Sequence, residues 1–203
     1  MTTPKILIVD DHSMIRKGVK LLLQLNLGYN DVDEVSSCAE LMSELKKKKY
    51  THLLLDIILP DGTTLEILPN INSLYPELNI MMFSMQPANV YSEALKKYGI
   101  RYYLSKTSPE EKTIAQLKSF LSDEVVPDKV NDSKYHNPFS DLSARELEVL
   151  HYLLKGQGTK YISNVLNLRM NTISTIKKRI FDKTNTENTK TLTELAVLYN
   201  VSY

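Results

Sequence analysis

The most constraining feature of this sequence is an apolar stretch from Leu53 to Leu59 that contains one carboxylate, Asp56, and is followed by Pro60. An apolar run of this length is typical of a strand buried on both faces, as in a parallel sheet. Because proline cannot continue a central strand, the strand is expected to end near Asp56. Open α/β sheets place their chemistry at this edge, although a lone aspartate can also simply cap the next helix.

The first 121 residues alternate between short apolar runs and amphipathic helical patterns. The predicted strands are 5–9, 32–35, 53–56, 80–83 and 101–104. Predicted helices follow them, with one ending at Gly28 and the others at 38–45, 64–74, 90–98 and 109–121. Repeated strand-helix units predict an α/β fold, a five-stranded parallel sheet covered by helices on both faces.

Polar side chains follow four of the predicted strands. Asp10 and Asp11 follow the first strand, Asp56 ends the third, Ser84 ends the fourth and Lys106 follows the fifth. Because the carboxyl ends of parallel strands meet at one edge, these side chains are expected to lie close together. Clustered carboxylates repel each other, and a divalent cation with oxygen ligands relieves that repulsion. A nearby lysine and hydroxyl complete a site that can hold a phosphoryl group.

Residues 1–121, through these strand-end positions, resemble the flavodoxin-like receiver domain of two-component response regulators. The resemblance implies that Asp56 accepts a phosphoryl group from a sensor histidine kinase and that the site binds Mg²⁺. The implied metal ligands are Asp11, Asp56 and the backbone carbonyl of Ile58, with Asp10 completing the acidic pocket. No enzymatic activity is expected beyond the receiver's own phosphoryl transfer and its loss.

The same resemblance assigns the residues that respond to phosphorylation. Lys106 would pair with phosphoryl oxygens, while Ser84 and Tyr103 match the switch hydroxyl and the switch aromatic. Three positions of this domain depart from the family pattern. Met85 replaces a small residue, Thr64 replaces a common glycine and Thr107 follows Lys106 where many receivers have proline. Met85 supports one alternative, a DNA-binding regulator whose receiver no longer responds to phosphorylation.

Residues 122–140 are polar and rich in turn formers, which predicts a linker. Residues 141–203 have a helical pattern and form the basic part of the chain, because nine Lys and Arg residues stand against six Asp and Glu residues from 136 onwards. Ser143 and Glu146 are spaced as a capping box that opens the first of these helices. Further helices are predicted at 160–166 and 171–184.

The predicted helix at 171–184 has two contrasting faces. Ile173, Ile176 and Ile180 share one side, and the opposite side carries Asn171, Ser174, Thr175 and Lys178. Short polar side chains let a helix approach the major groove, where lysine reaches bases or phosphates. An ordinary solvated helix face is the alternative interpretation.

Residues 141–199 resemble the four-helix helix-turn-helix domain of LuxR-type regulators through Leu142-Ser143-x-Arg145-Glu146-x-Glu148-Val149-Leu150 and the run 171–175. The resemblance implies binding to double-stranded DNA. It places Ser174, Thr175 and Lys178 at base edges and Lys160, Thr172, Lys177 and Arg179 near the backbone. It also assigns Leu192, Leu195, Ala196 and Tyr199 to subunit pairing, for which packing within their own domain is the alternative.

Together the two resemblances indicate a response regulator of the NarL/FixJ type, a transcription factor that is a homodimer when active. No apolar run approaches the roughly 20 residues of a membrane helix, and no signal-peptide pattern opens the chain. The single cysteine, Cys38, can form no internal disulfide, which agrees with a reducing compartment. A cytoplasmic protein without membrane association is therefore expected.

Overall fold

The computed structural model describes residues 4–122 and 137–201. The chain divides into two compact units, Met1–Met85 with Tyr98–Asp128, and Gln86–Lys97 with Lys129–Tyr203. We call them the sheet unit and the helical unit. Most of the predicted linker, 123–136, lies outside the described residues.

The sheet unit contains all the strands of the described part of the chain. They are β1 (Ile6–Val9), β2 (Val32–Val35), β3 (His52–Leu55), β4 (Ile58–Leu59), β5 (Gly62–Thr63), β6 (Asn79–Ser84) and β7 (Tyr102–Ser105). Five of them form one sheet in the order β2-β1-β3-β6-β7, and each neighbouring pair is parallel. The predicted parallel sheet is thus confirmed. Its strand order reverses between β1 and β3, the position at which open α/β sheets bind ligands.

The hairpin formed by β4 and β5 was not predicted. Ile58 pairs with Thr63 and Leu59 with Gly62, so Pro60 and Asp61 form the turn. Gly62 has a φ of 143°, a conformation that suits glycine because it lacks a Cβ. Strands of two residues are too short to show a repeating pattern in the sequence, which explains why they were not predicted.

The helices run from α1 to α9 in chain order. They are α1 (Ser13–Leu27), α2 (Cys38–Lys47), α3 (Leu68–Leu74), α4 (Ala88–Lys96), α5 (Glu110–Leu121), α6 (Ala144–Leu154), α7 (Thr159–Val165), α8 (Met170–Thr184) and α9 (Thr189–Leu198). The predicted helix from Thr64 instead begins as a 3-10 turn, Thr64–Glu66, before α3. Helix α4 falls in the helical unit. None of the described helices has the length and apolar character needed to cross a membrane.

The core of the sheet unit follows the alternation of its strands. Ile6, Ile8 and Leu54 face α1 and α5 in one apolar cluster, together with Leu23 and Phe120. The intervening strand residues, such as Leu7 and Leu53, are also fully buried. Because successive strand residues point to opposite faces, the sheet is apolar on both sides. The polar side chains of this sheet that could bind a ligand or react therefore lie at the ends of the strands.

The helical unit confirms two local predictions. Ser143 and Glu146 form a capping box, in which Glu146 Oε2 accepts the Ser143 N–H at 2.8 Å and Ser143 Oγ accepts the Glu146 N–H at 3.3 Å. In α8 the predicted apolar side is buried through Ile173, Ile176 and Ile180. The opposite side of α8 is exposed. The helix is therefore anchored by its buried apolar side and presents its polar side to solvent.

Candidate phosphoryl-accepting site and helix surface

Asp56 lies just after β3 and is buried, as the sequence predicted. Its Oδ1 accepts a hydrogen bond from Ser84 Oγ at 2.6 Å and another from the Ile57 N–H at 2.6 Å. Its backbone N–H donates to Val9 O at 2.9 Å, which fixes the residue against β1. The carboxylate is thus held by neighbouring strand ends rather than used as a helix cap.

Lys106 joins two of the clustered carboxylates. Its Nζ lies 2.5 Å from Asp56 Oδ2 and 2.7 Å from Asp10 Oδ2, and its side chain is only 1% exposed. A buried ammonium group of this kind compensates the charge of the carboxylates that it contacts. The five predicted strand-end residues therefore converge at one edge, since Asp11 lies beside Asp10.

The electrostatics of Asp56 reflect two opposing influences. Burial raises the pKa of the Asp56 carboxyl above its ordinary value, because burial disfavours the charged form. The charge of Lys106, and hydrogen bonds from Lys106 and Ser84, oppose this rise. Lys106 therefore helps to keep Asp56 ionised, which a nucleophilic carboxylate requires.

His12 and Arg16 also belong to the acidic pocket, and neither was predicted from the sequence. His12 Nδ1 lies 2.7 Å from Asp11 Oδ1 and 3.1 Å from Asp10 Oδ1. Arg16 Nη1 donates to the backbone carbonyl of Asp10 at 2.5 Å, and Arg16 Nε lies 3.4 Å from Glu34 Oε2. The available signal was their position after the acidic pair, because His12 is the N-cap residue of α1 and Arg16 lies in its first turn.

The donor set suits a hard divalent cation. Asp10, Asp11, His12 and Asp56 each offer a ligand atom, and these atoms lie within 4.8 Å of one another. Carboxylate oxygens are the ligands that Mg²⁺ and Ca²⁺ prefer. The side chain of Asp11 is 34% exposed while Asp10 is fully buried, so the pocket opens to solvent on the Asp11 side.

The hairpin after Asp56 is tied to both of its neighbours. At its tip, the Asp61 carboxylate accepts the backbone N–H groups of Cys38 and Ala39, each at 2.9 Å. These groups open α2, where a helix has unpaired donors and favours negative charge. Although burial opposes it, these hydrogen bonds lower the pKa of the Asp61 carboxyl. At the base of the hairpin, Thr64 is fully buried.

The remaining receiver positions have different surroundings. Met85 is 53% exposed beside the buried Ser84, so its side chain reaches outwards at the end of β6. Tyr103 lies in β7 and is half-buried. The Lys106 N–H donates to Ser84 O at 3.0 Å, which joins the ends of β6 and β7.

The predicted DNA-contacting residues lie on the exposed side of the helical unit. Exposed members are Lys160 on α7 and Asn171, Thr172, Ser174, Thr175, Lys178 and Arg179 on α8. Lys177 is half-buried, and its Nζ lies 5.5 Å from the centre of the Phe181 ring. The Thr175 hydroxyl donates to Asn171 O at 2.9 Å, so its oxygen remains an acceptor. The surface combines short polar side chains with several cations.

The residues of α9 that were predicted to pair subunits differ in burial. Leu192 and Ala196 are fully buried in the described protein, so they pack within their own domain and offer no surface to a second subunit. Leu195 and Tyr199 are half-buried. The exposed apolar residues are instead Val197 at 62% and Leu198 at 75%. Helical spacing identified an apolar stripe but could not show what covers it.

A buried aspartate held beside a lysine and a hydroxyl, in a chain that also exposes a basic helix surface, is the arrangement of DNA-binding regulators that accept phosphoryl groups. The sequence profile of the response regulator receiver domain matches residues 6–118. The profile of bacterial regulatory proteins of the luxR family matches residues 140–196.

Similar proteins match along nearly the whole chain. The response regulator UvrY of Escherichia coli is 26% identical over 206 residues, covering 97% of this chain and 94% of UvrY. The oxygen regulatory protein NreC of Staphylococcus epidermidis is 28% identical over 210 residues, covering 95% of this chain and 96% of NreC. A solved complex of the response regulator RcsB with DNA has a TM-score of 0.80 at 24% identity, covering 96% of this chain and 98% of RcsB. That likeness establishes the fold.

Because the receiver profile alone spans more than half of the chain, the protein belongs to the response regulators. The LuxR-family domain that follows it makes it a regulator of the NarL/FixJ type. It is a phosphorylation-regulated, DNA-binding transcriptional regulator of a two-component system.

Proposed function

We propose that Asp56 is the residue that accepts the phosphoryl group from a sensor histidine kinase. The observation that carries this proposal is the convergence of Ser84 Oγ and Lys106 Nζ on its two carboxylate oxygens, at 2.6 Å and 2.5 Å. An Asp56 oxygen would attack the phosphorus of the donor, forming a P–O bond as the P–N bond breaks. The departing imidazole keeps the electron pair and is then protonated.

The hydrogen bonds around Asp56 suggest how phosphorylation changes the domain. A phosphoryl group adds negative charge and strong acceptor oxygens. Ser84 Oγ and Lys106 Nζ, which hydrogen-bond to the carboxylate in the unphosphorylated protein, would hydrogen-bond to the phosphoryl oxygens instead. Because the Lys106 N–H also bonds to Ser84 O, movement of one residue pulls on the other. Tyr103, three residues before Lys106 on β7, is the proposed aromatic partner of this switch.

The acidic pocket is proposed to hold Mg²⁺ through Asp11, Asp56 and the Ile58 carbonyl, with Asp10 completing the pocket. Support comes from the oxygen donors that cluster around Asp56. When bound, the cation would neutralise charge that builds on the phosphoryl oxygens. Lys106 Nζ contacts Asp10 Oδ2 and Asp56 Oδ2. A cation that uses these oxygens would have to share them with Lys106 or displace it.

We further propose that residues 1–121 form the receiver domain, 122–140 the linker and 141–203 the DNA-binding domain. In the last of these, α8 would enter the major groove of double-stranded DNA. Its buried isoleucines fix the helix, while Ser174, Thr175 and Lys178 would face base edges. The backbone would be contacted by Lys160, Thr172, Lys177 and Arg179, and Asn171 would contact DNA from the same face as Ser174 and Lys178.

Phosphorylation is proposed to favour a homodimer, so that two α8 helices read two half-sites. Val197 and Leu198 are the apolar surface of α9 that is free to meet a second subunit. No catalysis is proposed beyond phosphoryl transfer to Asp56 and its loss. Because a DNA-binding regulator acts on the chromosome, this function supports a cytoplasmic location.

The central proposal is tested by intact-mass analysis. The full chain is incubated with Mg²⁺ and a small phosphodonor such as acetyl phosphate, and one added phosphoryl group is expected. Asp56→Asn should abolish the addition, whereas Asp61→Asn, an aspartate of the same loop, should retain it. Absence of uptake in the wild type, or unchanged uptake in Asp56→Asn, would contradict the assignment.

A further inference from the structure

Thr64 stands at the base of the hairpin that follows Asp56, at a position where the family resemblance leads us to expect glycine. It is fully buried and begins the 3-10 turn before α3. A buried hydroxyl is costly unless it is hydrogen-bonded, so its partners indicate why the residue is tolerated. Both partners belong to the segment that connects Asp56 to the hairpin.

The Thr64 hydroxyl donates to Asp56 O at 2.9 Å and lies 3.3 Å from Ile57 O. Its backbone N–H donates to Ile57 O at 2.8 Å. The peptide group between Asp56 and Ile57 is therefore held at both ends, since its N–H donates to Asp56 Oδ1 at 2.6 Å. Glycine could supply the backbone hydrogen bond but not the bond to Asp56 O.

The outer end of the same hairpin is held independently. Asp61 accepts two backbone N–H groups of α2, and this anchor does not involve Thr64. The hydrogen bonds made directly to the peptide groups between Asp56 and Ile58 are those at the inner end of the hairpin. The Thr64 side chain reaches the carbonyl oxygens of these peptide groups, while the Asp56 carboxylate reaches the Ile57 N–H.

We propose that Thr64 is a positioning residue for the cation site, whose hydroxyl fixes the backbone between the phosphoryl-accepting Asp56 and the metal-binding carbonyl of Ile58. This inference rests on the proposed function of those two residues. Its hydroxyl touches neither the cation nor the phosphoryl group and acts through the Asp56 and Ile57 carbonyls. The chain thereby replaces the usual glycine with a side chain that stiffens the loop.

Adjacent Thr63 offers a matched control. Thr63 is also buried, at 2% exposure, and its Oγ1 has no hydrogen-bond partner among the described residues. Thr63→Val and Thr64→Val remove the same atom from neighbouring positions of one hairpin. Thr64→Ser restores the hydroxyl without the methyl group.

The experiment measures Mg²⁺ affinity of the full chain by isothermal titration calorimetry, beside thermal unfolding in EDTA to compare folded stability. Loss of one hydrogen bond that holds the loop is expected to weaken Mg²⁺ binding by about five- to tenfold in Thr64→Val. Thr64→Ser and Thr63→Val should bind like the wild type. A general loss of stability would lower the unfolding temperature of Thr64→Val without this pattern of affinities.

Equal Mg²⁺ affinity in Thr64→Val and Thr63→Val would overturn the positioning role, as would a Thr64→Ser variant as weak as Thr64→Val. Absence of Mg²⁺ binding by the wild type would overturn both this role and the proposed cation site. If the affinities follow the expected pattern but Asp56 takes up no phosphoryl group, the proposed function fails and the positioning role stands.

Discussion

The backbone N–H of Lys106 donates to the carbonyl of Ser84 at 3.0 Å, so the two side chains that hold Asp56 are also joined through their backbones. Ser84 contacts Asp56 Oδ1 and Lys106 contacts Asp56 Oδ2. A new charge on Asp56 would therefore act on the ends of β6 and β7 together. Through this hydrogen bond, the proposed switch can pass a change at Asp56 to the ends of both strands.

Ser84→Ala should separate phosphoryl uptake from its consequence. The variant removes one donor to Asp56 Oδ1, but the Ile57 N–H still donates to that oxygen. Phosphoryl uptake should therefore persist, while phosphorylation-dependent dimerisation should fall. Intact mass measures the first quantity and analytical ultracentrifugation the second, with Ser84→Thr as the variant that keeps the hydroxyl. Full dimerisation by phosphorylated Ser84→Ala would rule out this role.

Lys106→Met should destabilise the protein when no metal is present. It leaves the carboxylates of Asp10 and Asp56 buried near each other without their shared cation. Breaking a buried pair by removing one partner costs about 3–5 kcal/mol. Added Mg²⁺ should restore much of the lost stability, because it would neutralise the same carboxylates.

Thermal unfolding in EDTA and in Mg²⁺ measures this recovery, and Lys106→Arg provides a variant that keeps the charge. If Mg²⁺ raises the unfolding temperature of Lys106→Met no more than that of the wild type, competition between Lys106 and the cation is excluded.

The sequence predicted the sheet edge because parallel strands leave long apolar runs, and a polar residue at the end of each run must meet the others. It did not predict the hairpin, since Asp61 and Thr64 acquire their roles only through contacts with α2 and with the backbone of Asp56. In α9 the helical spacing identified an apolar stripe but not which of its members are exposed. Leu192 and Ala196 fill the core, whereas Val197 and Leu198 stay outside.

His151 should make stability depend on acid pH. It is buried on α6, and burial, with a smaller effect of the Lys155 charge, lowers its pKa from 6.5 to about 4. The unfolded state then binds the proton more tightly, so stability present above pH 6.5 is lost as the pH falls towards 4. The shift corresponds to roughly 3 kcal/mol at most.

His151→Phe keeps an aromatic ring beside Tyr152 and cannot be protonated, so it isolates this contribution. The free energy of urea unfolding should depend less on pH in the variant than in the wild type. All other titrating groups are common to both proteins. Parallel pH profiles for the two proteins would exclude His151 as the source.

Lys178→Ala should weaken specific DNA binding. Lys178 lies on the exposed side of α8, in line with Asn171 and Ser174. If it contacts a base, its loss should cost about 1–3 kcal/mol and relax specificity at one position. Lys190→Ala is the control, because Lys190 is exposed on α9 and is not assigned to DNA.

Fluorescence anisotropy at several salt concentrations separates the two kinds of contact. Loss of a phosphate contact would weaken binding to all DNA sequences alike and reduce its salt dependence. Loss of a base contact would instead reduce the discrimination between DNA sequences. Specific binding by Lys178→Ala at wild-type affinity would remove Lys178 from the interface.

Leu198→Glu should weaken the proposed homodimer without unfolding the helical unit. Leu198 is 75% exposed at the end of α9, so a charge is tolerated in the monomer but would have to be desolvated between two subunits. Leu74→Glu is a matched control, since Leu74 is 62% exposed in the sheet unit. Sedimentation velocity of the phosphorylated proteins on DNA of two half-sites should show loss of the two-subunit complex in Leu198→Glu alone. Two bound subunits with both variants would place the pairing surface elsewhere than on α9.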